Sequence, residues 1–139
     1  MHAMLEAVRQ GATDPLIERV DVVVRAALEA TATDVLVAAG YIVGSPGNLG
    51  YMSGALKHFF DTIYYPCIES TIGRPFGVYL HGSNDTTGAR RAVDTITTGL
   101  RWRKAAADVV VTEEPSRRDL DACVDLGGTL APTLMTPPL

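Results

Sequence analysis

Only two cysteines, Cys67 and Cys123, occur in the 139 residues, far apart and outside any Cys-x-x-Cys arrangement. Such a pair supports neither a disulfide framework nor a zinc site. No apolar run is long enough to cross a bilayer: the longest uncharged stretch, residues 35–43, is less than half of the roughly 20 residues required. No basic leader followed by an apolar core and a small-residue cleavage site opens the chain, so a reduced cytoplasmic setting is expected, with no membrane contact. Basic residues are also short: 12 Lys and Arg face 16 Asp and Glu, for a net charge of −4 and a pI near 5.2. General nucleic-acid binding depends on clustered cations that neutralise phosphates, so nucleic acid is not an expected partner. The one dense basic cluster, Arg101-Trp102-Arg103-Lys104, is not repeated elsewhere. It reads as a helix C-terminus whose cations offset the dipole, with Trp102 folded onto the core.

What is present is apolar material in abundance: 47 % of residues are hydrophobic and 20 % charged, the balance of a folded chain rather than a disordered one. One domain over residues 1–131 is expected, with a proline-rich, fraying tail at 132–139. Four segments read as strands. Val20-Asp21-Val22-Val23-Val24 is β-branched, and Gly40-Tyr41-Ile42-Val43 closes the long apolar run, whose first part after Asp34 finishes a short helix. Phe76-Gly77-Val78-Tyr79-Leu80 and Asp108-Val109-Val110-Val111 are the other two. Continuous apolar runs without alternation point to strands covered on both faces, as in parallel sheets. Between them, Met52, Leu56, Phe59, Phe60 and Ile63 mark one face of a helix, as do Ala89, Val93, Ile96 and Leu100. Cys123, Gly127, Leu130 and Leu134 mark another, preceded by the capping-box pattern Ser116-Arg117-Arg118-Asp119. Met4, Leu5 and Val8 mark a short opening helix that Gly11 and Pro15 are expected to break. Helices and strands thus alternate, which implies an α/β fold: a doubly wound parallel sheet with helices on both faces. Such a domain ordinarily opens on a strand in the middle of the sheet, whereas this chain opens on a helix.

In open α/β sheets ligands bind beyond the carboxyl ends of the strands. The two candidate loops there are residues 44–54 and 81–88, both rich in Gly, Ser, Thr and Asn and nearly free of charge. Their backbone groups suit a flat ligand with polar edges. The loop after the last strand, Thr112-Glu113-Glu114-Pro115, is acidic. Neither Gly-x-Gly-x-x-Gly nor Gly-x-x-x-x-Gly-Lys-Ser/Thr is present, which leaves a Rossmann dinucleotide site or a P-loop without support. A phospho-receiver needs an acidic residue where Gly44-Ser45 stands, and no Gly-x-Ser-x-Gly elbow marks a hydrolase. Among single residues, His58 reads as a solvated helix position and Asp61 as a surface one, while Cys67 and Cys123 read as idle, buried thiols. His81 ends a strand at the binding edge and is the stronger histidine candidate. Tyr64-Tyr65 suits a partner surface.

The stretch Ser45-Pro46-Gly47-Asn48-Leu49-Gly50-Tyr51-Met52-Ser53-Gly54-Ala55-Leu56-Lys57, followed by Phe59-Phe60-Asp61, resembles the second flavin-binding loop and following helix of the flavodoxin-like family. It is most similar to the NAD(P)H-dependent FMN reductase branch, and His81-Gly82-Ser83-Asn84-Asp85 resembles the family's third flavin-contacting loop. The resemblance implies a flavodoxin-like sheet with FMN at the switch point. Ser45, Pro46, Gly47, Asn48, Leu49, Gly50 and Tyr51 would lie along one edge of the flavin, and His81, Gly82, Ser83, Asn84 and Asp85 along the other. Tyr51 or Tyr41 would cover a ring face. No side chain is implied as catalytic, since FMN carries the redox chemistry. NAD(P)H would serve as donor, and a small molecule such as a quinone or free flavin as acceptor. Measured against that family, the first, central strand and its phosphate-binding loop are missing. Their loss would remove charge-assisted hydrogen bonds of about 1.5–3 kcal/mol each and open a gap of about 9–10 Å in the sheet. The natural start is therefore expected upstream, and the chain as given is expected to form a homo-oligomer, in the simplest case a dimer. The alternative is a flavodoxin-fold module without tight FMN binding that acts in assembly or protein interaction. An electron-transfer flavodoxin ranks below the reductase, because its surface is ordinarily more acidic than −4.

Overall fold

The computed structural model describes residues 1–48, 50–82 and 86–135. Its elements are α1 (His2–Ala12), α2 (Ala32–Val37), β1 (Tyr41–Asn48), β2 (Tyr51–Met52), α3 (Gly54–Cys67), β3 (Pro75–His81), α4 (Thr87–Leu100), β4 (Arg103–Lys104), β5 (Val109–Val111) and α5 (Arg117–Leu130). A 3₁₀ turn, Ala131–Leu134, follows α5.

The sheet runs β2-β1-β3-β4, with β5 also on β3. β1 pairs with β3 in parallel from Tyr41↔Phe76 to Pro46↔His81. β4 and β5 both lie parallel to β3, at Pro75–Phe76 and at Tyr79–His81. They act as two halves of one interrupted strand. β2 is antiparallel to the end of β1.

Strand alternation sorts the core into two layers. Val43, Phe76, Val78 and Leu80 pack with Leu56, Phe60, Ile63, Val93 and Leu100 of α3 and α4. Ile42, Tyr79 and Val111 pack with Met4, Val8, Cys123 and Leu126 of α1 and α5. Helices therefore cover both faces, as the unalternating apolar runs predict. Trp102 is buried, stacks on Tyr41 at 4.3 Å between ring centroids, and donates Nε1–H to Thr71 Oγ1 at 2.9 Å. Arg101 closes α4 in the left-handed region, with φ of 60°.

The predicted stop at Gly11 differs in an instructive way. Gly11 does not break α1, which runs on to Ala12. A Cβ on Gly11 would strike the Val124 carbonyl of α5, so the glycine serves to let two helix backbones touch. Pro66 lies in the last turn of α3, which ends at Cys67. Ser116 and Asp119 form the expected reciprocal capping box. A second one, Thr31 with Asp34, starts α2. Arg74 then clamps the other end of α2, its Nη1 lying 2.8 Å from the carbonyls of Leu36 and Ala38.

The expected first strand does not form. Residues 20–24 are irregular, and Val22, Val23 and Val24 are exposed. β-branched composition favours extension, but a strand exists only as one side of a ladder, and no described strand pairs with this segment. The tail begins in order rather than fraying: Leu134 packs against Gly40, and residues 136–139 lie outside the described ones. No helix among the described residues is long and apolar enough to cross a membrane.

Candidate functional site

The parallel ladder of β1 and β3 ends at Pro46↔His81, so both strands release their loops side by side. β1 continues into a hairpin with Gly47↔Met52 and Asn48↔Tyr51. Gly50 turns the hairpin with φ of +78°, a conformation that side chains resist. From the other loop, Gly82 donates its N–H to the Val111 carbonyl at 2.9 Å and Thr86 is buried at the start of α4. The loops meet at Gly47: a Cβ there would lie 3.6 Å from Thr86 Cγ2 and 4.0 Å from Gly82 Cα. The Gly50 carbonyl rests where a side chain of Gly88 would stand, which seats the hairpin on the first turn of α4.

Ser45 is fully buried and faces inward. Its Oγ accepts the Ser53 N–H at 3.0 Å and donates to the Pro46 carbonyl at 2.7 Å. Ser53 in turn caps α3 through Leu56 N–H. Ser45 thus fixes the path of the loop, and its hydroxyl is spent on the protein. Pro46, Gly47, Gly50 and Gly82 border the convergence directly. Leu49, Ser83, Asn84 and Asp85 lie outside the described residues, as does the side chain of Asn48.

Half-buried His81 places Nε2 at 2.7 Å from the Glu113 carbonyl. A carbonyl only accepts, so this nitrogen carries the hydrogen and Nδ1 is left as an acceptor. The contact ties the β3 loop to the loop after β5. That tie was not legible in the sequence, because Glu113 acts through its backbone. Tyr51 is 42 % exposed and borders an open groove of about 600 Å³ between α3 and α4, together with Lys57, Asp61, Tyr64, Tyr65 and Arg91. Lys57 and Asp61 pair within it, and that hydrogen bond holds the lysine pKa above its ordinary value. Tyr41 is not available to a ligand in these loops. It lies at the opposite end of β1, stacked on Trp102, with its hydroxyl on the Val35 carbonyl at 2.6 Å.

Burial raises the pKa of both Cys67 and Cys123, leaving them protonated and unreactive. Among the described residues no three His, Cys, Asp or Glu gather to hold a metal. What the convergence offers is neutral backbone and a hydroxyl, with glycine wherever the chain comes closest. That donor set fits the polar, uncharged edge of a flavin ring. Among the described residues it offers no cation for a phosphate.

No protein-family model matches the chain, and no curated protein sequence does. Solved structures do. A flavodoxin, WrbA-like protein from Agrobacterium tumefaciens superposes with a TM-score of 0.73 at 19 % identity, over 94 % of this chain and 86 % of that one. The two-electron reduced flavodoxin of Megasphaera elsdenii gives 0.75 at 16 % identity, over 94 % and 89 %. Rubredoxin oxygen:oxidoreductase from Desulfovibrio gigas gives 0.74 at 18 % identity, over 96 % of this chain and 33 % of that one. The fold is that of the flavodoxins.

Proposed function

We propose that the protein is an FMN-binding oxidoreductase of flavodoxin-like fold that passes electrons from NAD(P)H to a small acceptor such as a quinone or free flavin. The observation that carries this reading is the meeting of two neutral, glycine-rich loops at Gly47, Gly82 and Thr86, at the carboxyl ends of adjacent parallel strands. This is where open α/β sheets take ligands. Support of a second kind comes from the structures of the same fold, which include flavodoxins and an oxidoreductase.

FMN supplies the electron chemistry when bound, and the chain's part is to hold and shield it. Gly47 and Gly50 present backbone groups without side chains in the way, and Ser45 sets their path from below. Gly82 and His81 stand opposite, at the end of β3, and Ser83, Asn84 and Asp85 are proposed as flavin contacts from the same loop. Tyr51 stands on the hairpin side, and Asn48 and Leu49 are proposed as contacts from the same turn.

Titration of the purified chain with riboflavin and with FMN, followed by flavin fluorescence, tests the reading and separates the ring from the phosphate. Binding of both with similar affinity is expected, and a Gly47→Val substitution should weaken both at least about tenfold. A Cβ at this position meets only ordinary contacts at 3.6 Å or more, and an unchanged far-ultraviolet circular dichroism spectrum of the variant checks that the fold is kept. Oxidation of NAD(P)H with a quinone then separates a reductase from a carrier. If neither flavin binds, the reading is wrong.

The second reading, an interaction module without tight FMN binding, is favoured by a different observation: the apolar segment before β1 lies exposed and unpaired.

A further inference from the structure

We propose that two copies of this chain exchange strands, residues 20–24 of each adding to the open edge of β1 in the other. β1 is an interior strand by burial and an edge strand by pairing. Val43 and Ser45 are 7 % and 0 % exposed, and its two faces pack against both helical layers. Residues 41–46 pair with β3 along one edge, while on the other edge only Gly47 and Asn48 are paired, to β2. Edge strands are ordinarily protected by charge, proline or a bulge. Tyr41-Ile42-Val43-Gly44-Ser45 has none of these.

Tyr79 marks the same edge independently. It is opposite Gly44 in the ladder, and its ring and hydroxyl lie over that glycine. Tyr79 is 7 % exposed, yet among the described residues its hydroxyl has no hydrogen-bond partner. The hydroxyl still reaches solvent, so it is free to exchange water for a carbonyl acceptor brought along the edge of β1. A strand laid along β1 would bring backbone carbonyls to that side.

The matching donor is on the same chain. Among the described residues, no hydrogen bond reaches the backbone of residues 20–23. Seven of the eleven exposed large hydrophobic residues lie between positions 16 and 37: Leu16, Val22, Val23, Val24, Leu28, Leu36 and Val37, at 37–87 % exposure. That exposure amounts to about four whole Val or Leu side chains per copy. Of the seven, Val22, Val23 and Val24 lie in the exchanged strand, and reciprocal exchange covers them twice, together with both β1 edges. Because each copy carries one donor and one acceptor, a two-fold axis satisfies both and closes the assembly.

This inference does not depend on flavin binding. Sedimentation of the 139-residue chain over a range of concentrations should give twice 14.8 kDa. Val23→Pro removes an N–H from the donor strand at a position where the monomer makes no hydrogen bond. It should weaken the dimer at least about tenfold while leaving the circular dichroism unchanged. Hydrogen exchange of the dimer should show protected amides in both 20–24 and 41–46, protection that Val23→Pro removes from both. A chain that stays monomeric overturns the proposal. So does a dimer that Val23→Pro leaves intact, or one in which 41–46 exchange freely.

Discussion

Adjacent glycines on α5 should respond to alanine with opposite signs. Gly127 faces α1, and a Cβ there would stand 2.7 Å from the Ala12 amide nitrogen and closer still to the Val8 carbonyl. Both obstacles are backbone, so neither swings aside. Relief requires α1 to move off α5 by roughly 1 Å, which forfeits a quarter to a half of the dispersion contact along that seam. The seam includes Met4, Val8, Cys123 and Leu126, all no more than 5 % exposed. Overpacking costs about 1–3 kcal/mol, and against backbone that cannot swing aside the upper part of that range, about 2–3 kcal/mol, applies; the better helix propensity of alanine returns about 1 kcal/mol. A net loss of about 1–2 kcal/mol is expected for Gly127→Ala. At Gly128 the nearest atom to a new Cβ is the Gly11 carbonyl oxygen at 3.7 Å, an ordinary contact. There only the propensity gain remains, about 0.5–1 kcal/mol of stabilisation. Thermal melts followed by far-ultraviolet circular dichroism should place the two variants roughly 6–12 °C apart, on either side of the parent. If Gly127→Ala melts at or above the parent, the backbone contact between α1 and α5 is not as described.

Thr71→Val keeps the shape of a fully buried residue but removes the acceptor of Trp102 Nε1–H and the donor to the Cys67 carbonyl. A loss of about 1–3 kcal/mol is expected, with a shift in the emission of Trp102, the one tryptophan; an unchanged spectrum and stability would refute it. Asp108 is 1 % exposed, with Oδ2 accepting from Arg90 Nε at 2.8 Å and Lys104 Nζ at 3.1 Å. Lys104 also lies 2.9 Å from Oδ1, without the geometry of a hydrogen bond to it. Asp108→Asn should cost about 1–2 kcal/mol, below the figure for a fully buried pair because both cations are partly hydrated; urea titration checks this, and no change would count against the pairing. Burial works against the Lys104 ammonium, but its bonds to Asp94 and Asp108 outweigh it and raise its pKa. Its contribution is therefore present below the ordinary lysine value and lost as the pH rises through the raised one. Asp34 and Asp119 behave in the opposite sense. The backbone N–H groups of Thr31 and Ser116 hold their pKa below 3.8, so their contribution is present above that value and lost as the pH falls through the lowered ones. Asp119→Asn should flatten the acid limb of a stability–pH curve, and a limb of the same steepness would contradict the capping box.

The helices were legible because each is written locally. Four-residue spacing placed α3, α4 and α5 within a few residues, and Ser116 with Asp119 announced the start of α5. The Thr31 and Asp34 box is the same signal, set directly ahead of the apolar run at 35–43. Gly11 misled because a helix-breaking propensity of about 1 kcal/mol is small beside the packing of one helix on another. Nothing near Gly11 in the chain reveals that Val124 lies against it. For the site, composition and strand order brought the two glycine loops to one edge, where Gly47 and Gly82 do meet. The inward turn of Ser45 toward Ser53 was not readable, since a serine in a loop looks the same whether it faces ligand or protein.

Residues 20–24 show where local reading must stop. Their composition is as strand-like as that of residues 76–80, and the two segments have different fates. Phe76 to Leu80 find β1 on one side and β4 or β5 on the other. Val20 to Val24 find nothing, and three valines stay in solvent. A helix satisfies its own backbone, whereas a strand is half of a bond with another segment. Composition therefore reports the capacity to pair, and only the fold reports whether a partner is in place. An unpaired donor segment and an unpaired acceptor edge on one chain are two halves of the same deficit, and strand addition is the step that removes both.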